Sequence, residues 1–80
     1  MTDEQMQEIK DRCDKATKGP WISFVEGRDH TSGSSFIRTK GDDIELIGAT
    51  VEDQDFIAAA RQDIPLLIEE ICSLKKELKN

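Results

Sequence analysis

The apolar side chains follow helical spacing at both ends of the chain and lose it in the middle. Near the N-terminus they recur every three or four residues, at Met6, Ile9, Cys13 and Ala16. The C-terminal segment carries the same spacing over a longer stretch, at Ile64, Leu67, Ile71, Leu74 and Leu78. Because residues three and four apart share one face of a helix, the sequence predicts a helix at each end.

The end residues of the first helical segment indicate where it begins and stops. Thr2 and Gln5 form a capping-box pattern, in which each side chain can satisfy a free backbone N–H of the first turn. Gly19 and Pro20 end the segment, because Gly suits the end of a helix and Pro cannot continue it. We therefore assign residues 1–19 to this segment.

Acidic residues crowd the start of the C-terminal segment, where negative charge suits the helix dipole: Glu52, Asp53 and Asp55. Pro65 follows, and a proline inside a helix removes a hydrogen bond and clashes with the preceding turn. Asp63 is a favourable N-cap residue. Within residues 52–80, the sequence thus predicts a short helix that ends near Gln62 and a longer one that begins at Ile64.

Residues 20–51 are typical of strands joined by turns. Aromatic and β-branched residues fill Trp21–Val25, and two further short strands are expected at Ser35–Thr39 and Ile44–Val51. Gly27–Ser34 is a polar loop between the first two. Short loops cannot make parallel crossovers, so we expect a three-stranded antiparallel meander within a single α+β domain that covers residues 1–80.

The composition limits both stability and partners. Apolar residues make up 36% of the 80 residues and charged ones 35%, with a net charge of −6. A core this lean is marginal in so short a chain, so we expect a homo-oligomer that packs through its terminal helices. The negative charge argues against nucleic-acid polymers and anionic membranes. Without a long apolar run or a signal segment, we expect a cytoplasmic protein.

Basic charge is concentrated in one part of this acidic chain. Residues 10–40 carry seven basic and four acidic side chains, whereas residues 41–63 carry seven acidic side chains and one basic residue, Arg61. An anionic ligand is therefore expected near the basic stretch. Its candidate contacts are Arg28, Arg38 and Lys40.

The residue types that enzymes need are sparse. His30, the single histidine, lies beside Asp29 and near Ser32, but neighbouring loop residues rarely align a nucleophile with its base, and a solvated loop histidine is the simpler interpretation. Asp53 and Asp55 could bind a cation or transfer protons, yet the start of a helix already explains them. No phosphate loop or dinucleotide fingerprint is present. We expect no enzyme activity, cofactor or metal.

The two cysteines do not indicate a special chemistry. Cys13 and Cys72 lie on the apolar faces of the two terminal segments, and no Cys-x-x-Cys or Cys/His cluster is present. Reduced, buried thiols are therefore the simpler interpretation. A disulfide between them stays open if the fold brings the two segments together.

Two residues have both a structural and a binding interpretation. Trp21, the single tryptophan, is either a core aromatic or a wall on which a ring can stack. Arg61 is either solvated at the end of an alanine-rich run, paired with Asp53 or Asp55, or a clamp for a phosphate group. The sequence does not decide between these roles.

Two blocks resemble the hallmarks of a family of short proteins found in bacteriophages, prophages and bacterial genomes. Residues 16–21, Ala-Thr-Lys-Gly-Pro-Trp, resemble the family's A-T-x-G-P-W block. Residues 55–67 resemble its second block, F-I-A-x-A-R-x-D-x-P-x-L, which precedes a charged helix. Together the blocks cover about a quarter of the chain, and the segment between them is variable in length in the family. Most family members carry no assigned function, so the resemblance implies a phage or prophage origin more than an activity.

A small acidic phage protein that is not an enzyme suits a sequestering role. We expect it to bind a host immune nucleotide, of the cyclic ADP-ribose or cyclic dinucleotide class, between subunits. Trp21 and Phe56 would form the wall and Arg61 the clamp, with Arg28, Arg38 or Lys40 assisting. The alternative is a module that inhibits a host protein through its acidic face or C-terminal helix. A structural accessory protein without a ligand is a third possibility.

Overall fold

A computed structural model describes residues 1–79 and has an α+β fold. The elements are α1 (Asp3–Lys15), β1 (Ile22–Phe24), β2 (Phe36–Arg38) and α2 (Val51–Lys79). The prediction of a helix at each end with antiparallel strands between them is confirmed. Asn80, the last residue of the predicted C-terminal segment, lies outside the described residues.

The start of α1 agrees with the sequence pattern. The Gln5 backbone N–H donates to Thr2 Oγ1 over 3.0 Å, and the Thr2 N–H donates to Gln5 Oε1 over 2.8 Å. Both arms of the predicted capping box are therefore formed. The helix ends at Lys15, four positions before Gly19, so residues 16–19 of the predicted segment belong to the connection into β1.

The sheet has two strands, not the three that the sequence predicts. β1 and β2 pair antiparallel over three residues each, with Phe24 opposite Phe36. Of the predicted third strand, Ile44 alone pairs, through a single bridge to Ile37 with N–O distances of 2.8 and 2.9 Å. Gly48 then takes a φ of +82°, which favours glycine and turns the chain toward α2. The predicted meander is therefore not formed by the described residues.

The predicted break at Pro65 is wrong, because α2 is one continuous helix of 29 residues. Its first turn has a capping box that the sequence analysis missed: the Asp53 N–H donates to Thr50 Oγ1 over 3.0 Å, and the Thr50 N–H donates to Asp53 Oδ2 over 3.1 Å. Tertiary contacts hold the helix on both sides of Pro65. Gln54 bonds to the sheet before it, and Ile68 is buried after it. These contacts outweigh the local cost of the proline.

The buried core is small and lies where α2 meets the sheet and α1. Its apolar members are Met6, Val25, Ile37, Ala58 and Ile68, of which Ile37 is completely inaccessible to solvent. α2 packs against α1, β1 and β2, and it gives the molecule an elongated shape of 54 × 21 × 21 Å. Much of the apolar surface of α2 stays outside this core, since Phe56, Leu67 and Leu78 are 74%, 62% and 88% exposed.

One buried polar side chain joins α2 to both strands. Gln54 is 5% exposed, and its Nε2 lies 3.2 Å from both the Phe24 and the Phe36 carbonyl oxygens and 2.9 Å from Ser23 Oγ. A leucine would have similar size but no donor for these oxygens. The substitution would remove these buried hydrogen bonds, which is more costly than losing an exposed one.

We therefore expect Gln54→Leu to lower the free energy of unfolding by about 1–3 kcal/mol, as measured by urea denaturation. Gln7→Leu is the matched control, because Gln7 is exposed and bonds only to the Asp11 side chain. The control should change stability by less than about 0.5 kcal/mol. Equal effects of the two substitutions would contradict the role given to Gln54.

Candidate functional site

The two sequence blocks at either end of the domain meet at one backbone oxygen. The Thr17 carbonyl accepts a hydrogen bond from Trp21 Nε1 over 2.9 Å and another from Arg61 Nε over 3.0 Å. Thr17 and Arg61 are 44 positions apart in the sequence. The shared acceptor therefore sets the indole and the guanidinium side by side.

Gln62 strengthens this junction and was missed by sequence reasoning. Its Oε1 accepts from the Trp21 N–H over 2.7 Å, and its Nε2 donates to the Trp21 carbonyl over 3.0 Å. Gly19 permits the close approach, because a Cβ there would lie 3.3 Å from Gln62 Oε1. The available signal was the position of Gln62 beside Arg61 in the second block.

Trp21 and Arg61 line an open groove of about 230 Å³ between the end of α1 and α2. We call it the Trp21–Arg61 groove; its walls include Arg12, Trp21, Ile57, Ala60, Arg61 and Ile64. Arg61 uses Nε to bond Thr17, and its terminal nitrogens have no hydrogen-bond partner within residues 1–79. The groove is thus lined almost entirely by apolar surface, and Trp21 and two arginine side chains contribute to it.

Two neighbouring grooves also reach Arg61 but are less suited to an anion. One, of about 430 Å³, is lined by Pro20 and Leu66, and the other, of about 280 Å³, by Lys10 and Asp14. Glu69 lines both. A carboxylate there repels a phosphate group, whereas the Trp21–Arg61 groove has no acidic wall residue among the described residues. Of the three grooves, that one therefore repels an anion near Arg61 the least.

Arg28 is occupied by carboxylates of its own chain. Its Nη1 and Nη2 donate to the two oxygens of Asp55 over 2.7 and 3.0 Å, and its Nε and Nη2 donate to Asp29 Oδ2 over 3.1 and 2.9 Å. The hydrogen bonds from Arg28 lower the pKa of Asp55 to about 2 and lower the pKa of Asp29. Two carboxylates already balance its charge, which leaves Arg28 poorly placed to clamp a ligand.

Asp53 and Asp55, the two acids that the sequence offered as partners for Arg61, both bond elsewhere. Asp55 bonds to Arg28, and Asp53 caps the start of α2, so neither pairs with Arg61. Their side chains thus have structural partners instead of facing a common site. Among the described residues, no group of three or more His, Cys, Asp or Glu side chains is arranged to hold a metal ion.

Arg38 lies on the hairpin, over a pair of aromatic rings. Its guanidinium carbon is 4.7 Å from the centroid of Phe24 and 5.8 Å from that of Phe36. The two phenylalanine rings stack with centroids 5.4 Å apart and an interplanar angle of 15°. Such cation–π contact stabilises the exposed side of the sheet and places Arg38 outside the Trp21–Arg61 groove.

His30 is not a solvated loop residue, which corrects the sequence-based interpretation. Its side chain is 18% exposed and packs edge-on against Phe36, with ring centroids 5.1 Å apart. Ser32 Oγ lies 2.6 Å from Nδ1, while Nε2 is buried without a hydrogen-bond partner within residues 1–79. Asp29 bonds to Arg28 rather than to His30, so these three residues do not form the arrangement of a catalytic triad.

The remaining candidates lie apart from one another. Lys40 is exposed, and its backbone N–H donates to the Lys18 carbonyl over 3.2 Å. Phe56 is 74% exposed and borders a different groove, beside Ile47. Of the six predicted ligand contacts, a single chain therefore brings together two, Trp21 and Arg61.

The two cysteines are both free thiols. Each is half-buried, Cys13 on α1 and Cys72 on α2. The disulfide that the sequence left open is not formed.

The Arg28 network generates a pH prediction. The folded-state pKa of Asp55 lies below its ordinary value of 3.8, so its contribution to stability is complete above about pH 4 and is lost as the pH falls toward 2. We expect Asp55→Asn to reduce the drop in melting temperature over this range. Asp43→Asn, which removes an exposed acid outside the network, should retain the drop of the unmodified chain. An unchanged acid profile for Asp55→Asn would refute the assignment.

Comparison with family models, with curated proteins and with solved structures finds no match for this chain. The resemblance of its two blocks to phage and prophage proteins therefore stays a prediction. None of the helices in the described part of the chain has the length and apolar character needed to cross a membrane.

Proposed function

We propose that this chain is a non-enzymatic binding protein that holds a nucleotide-like ligand at the Trp21–Arg61 groove. The observation that carries this proposal is the shared Thr17 acceptor, because it sets an indole ring and a guanidinium group side by side, on two residues that line one groove. A nucleotide presents a flat base and a charged phosphate group. An aromatic wall suits the base, and an arginine fork suits the phosphate oxygens.

The hydrogen bonds at the junction support binding in a second way. Thr17 holds Nε of Arg61, which fixes the guanidinium while its terminal nitrogens stay available to a ligand. Trp21 is held through its indole N–H and through its backbone by Gln62. Side chains that are fixed before binding lose little conformational entropy when the ligand arrives.

Electrostatics favour a local site over a general attraction. The net charge of −6 repels an anion at long range, so binding depends on cations that converge. Arg12 and Arg61 both line the groove, and a charge-assisted hydrogen bond to phosphate is stronger than a neutral one. This arrangement favours a compact anion over a nucleic-acid polymer.

The biological role that we propose is sequestration of a host immune signal, a cyclic ADP-ribose-like or cyclic dinucleotide molecule. The resemblance of the two blocks to phage and prophage proteins supports this role. In this role, the protein acts in the host cytoplasm as a homo-oligomer. It removes the signal from its effector without converting it.

A second candidate function is inhibition of a host protein through α2. The observation that favours it is the exposure of large apolar side chains on this helix, including Leu66 at 61% and Leu67 at 62%. Exposed apolar surface of this kind marks interaction sites. The acidic residues near the start of α2 would then contribute charge for a basic partner.

Titration calorimetry against cyclic dinucleotides and ADP-ribose-like nucleotides tests the binding proposal. We expect Arg61→Gln to weaken binding by about 1.5–3 kcal/mol, the range for a hydrogen bond to a charged group. Arg38→Gln is the matched control, since it removes the same charge from the hairpin, and it should bind as the unmodified chain does. Trp21→Ala should weaken binding by a similar amount and also lower the melting temperature, because the indole bonds to Thr17.

The controls distinguish a variant that binds weakly because its site has changed from one that binds weakly because it has unfolded. Melting curves identify any variant that has unfolded, and only folded variants enter the comparison. If Arg38→Gln loses binding and Arg61→Gln does not, the ligand lies at the hairpin instead. If no nucleotide binds the unmodified chain at micromolar concentration, the sequestration proposal fails and inhibition through α2 takes its place.

A further inference from the structure

Six apolar side chains of α2 that lie outside the core follow a seven-residue repeat. Ile57, Ile64 and Ile71 occupy one position of the repeat, and Ala60, Leu67 and Leu74 occupy the position three residues later. We call these six residues the α2 stripe. Leu67 and Leu74 are 62% and 49% exposed, and Ile57 and Ile64 are 38% and 39% exposed. α1 borders Ile57, Ala60 and Ile64 at the Trp21–Arg61 groove but leaves the stripe partly exposed, because it packs mainly along the neighbouring side of α2 that carries the buried Ile68.

The residue types in the stripe indicate what covers it. Isoleucine at the first apolar position of a heptad and leucine at the second favour a two-stranded parallel coiled coil. The stripe has isoleucine at all three first positions, and leucine at two of the three second positions. Pro65 directly follows a first position, which places it on the outer side of such a pair, so it does not obstruct the contact.

The charges beside the stripe favour one orientation. On one flank lie the acidic residues Asp63, Glu70 and Glu77, and on the other lie the basic residues Arg61 and Lys75, with Ile68 between them. An antiparallel pair of copies would place acid against acid and base against base, which is unfavourable. A parallel pair places each acidic flank against the basic flank of the partner, so that Glu70 faces Lys75.

From these observations we infer that a second copy of the chain covers the α2 stripe in a parallel, two-fold symmetric dimer. Lys75 already donates to Asp3 over 2.6 Å, and an ammonium group has further donors for Glu70 of the second copy. Glu70 has no ion-pair partner among the described side chains of residues 1–78, so this new pair displaces none of the described ones.

The dimer also completes the Trp21–Arg61 groove. Ile57, Ala60 and Ile64 belong both to the stripe and to the groove wall, so the second copy covers this wall and replaces it with its own side chains. The groove of one chain, about 230 Å³, is smaller than the ~300–1,000 Å³ typical of small-molecule sites. In the parallel register, Phe56 of the second copy faces Arg61, because the two residues occupy opposed flanking positions. The partner thus supplies a second aromatic wall, which brings Trp21, Phe56 and Arg61 together.

Light scattering at micromolar concentration tests the dimer without any ligand. We expect a particle of twice the 9.0 kDa chain mass, and we expect Leu67→Asp to weaken association about tenfold or more. Leu66→Asp is the matched control, because Leu66 is equally exposed at 61% but lies outside the stripe; it should still form dimers. A monomeric unmodified chain overturns the proposal and leaves the stripe to a different protein.

A disulfide cross-link tests the orientation. In a background of Cys13→Ala and Cys72→Ala, Leu74→Cys places a thiol where a parallel pair brings residue 74 against its own copy. Mild oxidation should then yield a covalent dimer, whereas Leu66→Cys in the same background should stay monomeric on a non-reducing gel. Failure of Leu74→Cys to cross-link while the background variant still dimerises overturns the parallel arrangement.

The inference that the dimer completes the groove rests on the proposed function, and nucleotide binding by a Phe56 variant tests it separately. Phe56→Ala removes a side chain that is 74% exposed in one chain, so the melting temperature of a monomer should not change. We expect this variant to weaken nucleotide binding about tenfold while the mass stays dimeric. Unchanged binding overturns the completed groove alone, and a dimer that binds no nucleotide overturns the proposed function while the dimer stands.

Discussion

The fold depends on a junction where the end of α1 is fastened to the middle of α2. The Thr17 carbonyl accepts from Trp21 and Arg61, and Gln62 bonds to the Trp21 backbone in both directions. Without these bonds, the connection would depend on the apolar contact between the two helices and on the ion pair between Lys75 and Asp3. The hydrogen bonds also orient the Trp21 and Arg61 side chains, so the same atoms would serve both stability and the binding that we propose.

Patterns that act within a few residues predicted the structure well. The residue types at Thr2 and Gln5 were enough to predict a capping box, and both of its hydrogen bonds are formed. Pro65 shows the limit of this approach, because a proline locally disfavours a helix but the surrounding contacts keep α2 continuous. The prediction of a third strand was wrong for a related reason. After Ile44 the chain leaves the sheet, and β-propensity does not show where the pairing between two strands ends.

The candidate site was predictable only in part. Trp21 and Arg61 were singled out by their residue types and by the two blocks, and their common acceptor could not be read from the sequence because it is a backbone atom. Arg28 illustrates the opposite case. A basic residue in a polar loop resembles a ligand contact, but the fold places Asp55 of α2 against it. Charge in a sequence becomes available to a ligand only when no side chain of the same fold neutralises it.

The position of α2 has a consequence for how the chain acquires its structure during synthesis. α1, β1 and β2 all pack on this helix, yet every one of them precedes it in the chain. During synthesis, residues 1–50 therefore leave the ribosome before α2, their main packing partner. Met6, Val25 and Ile37 cannot be buried against α2 until that helix emerges. Folding of this domain is accordingly a late, nearly all-or-none event, because no earlier part of the chain holds a core that is complete on its own.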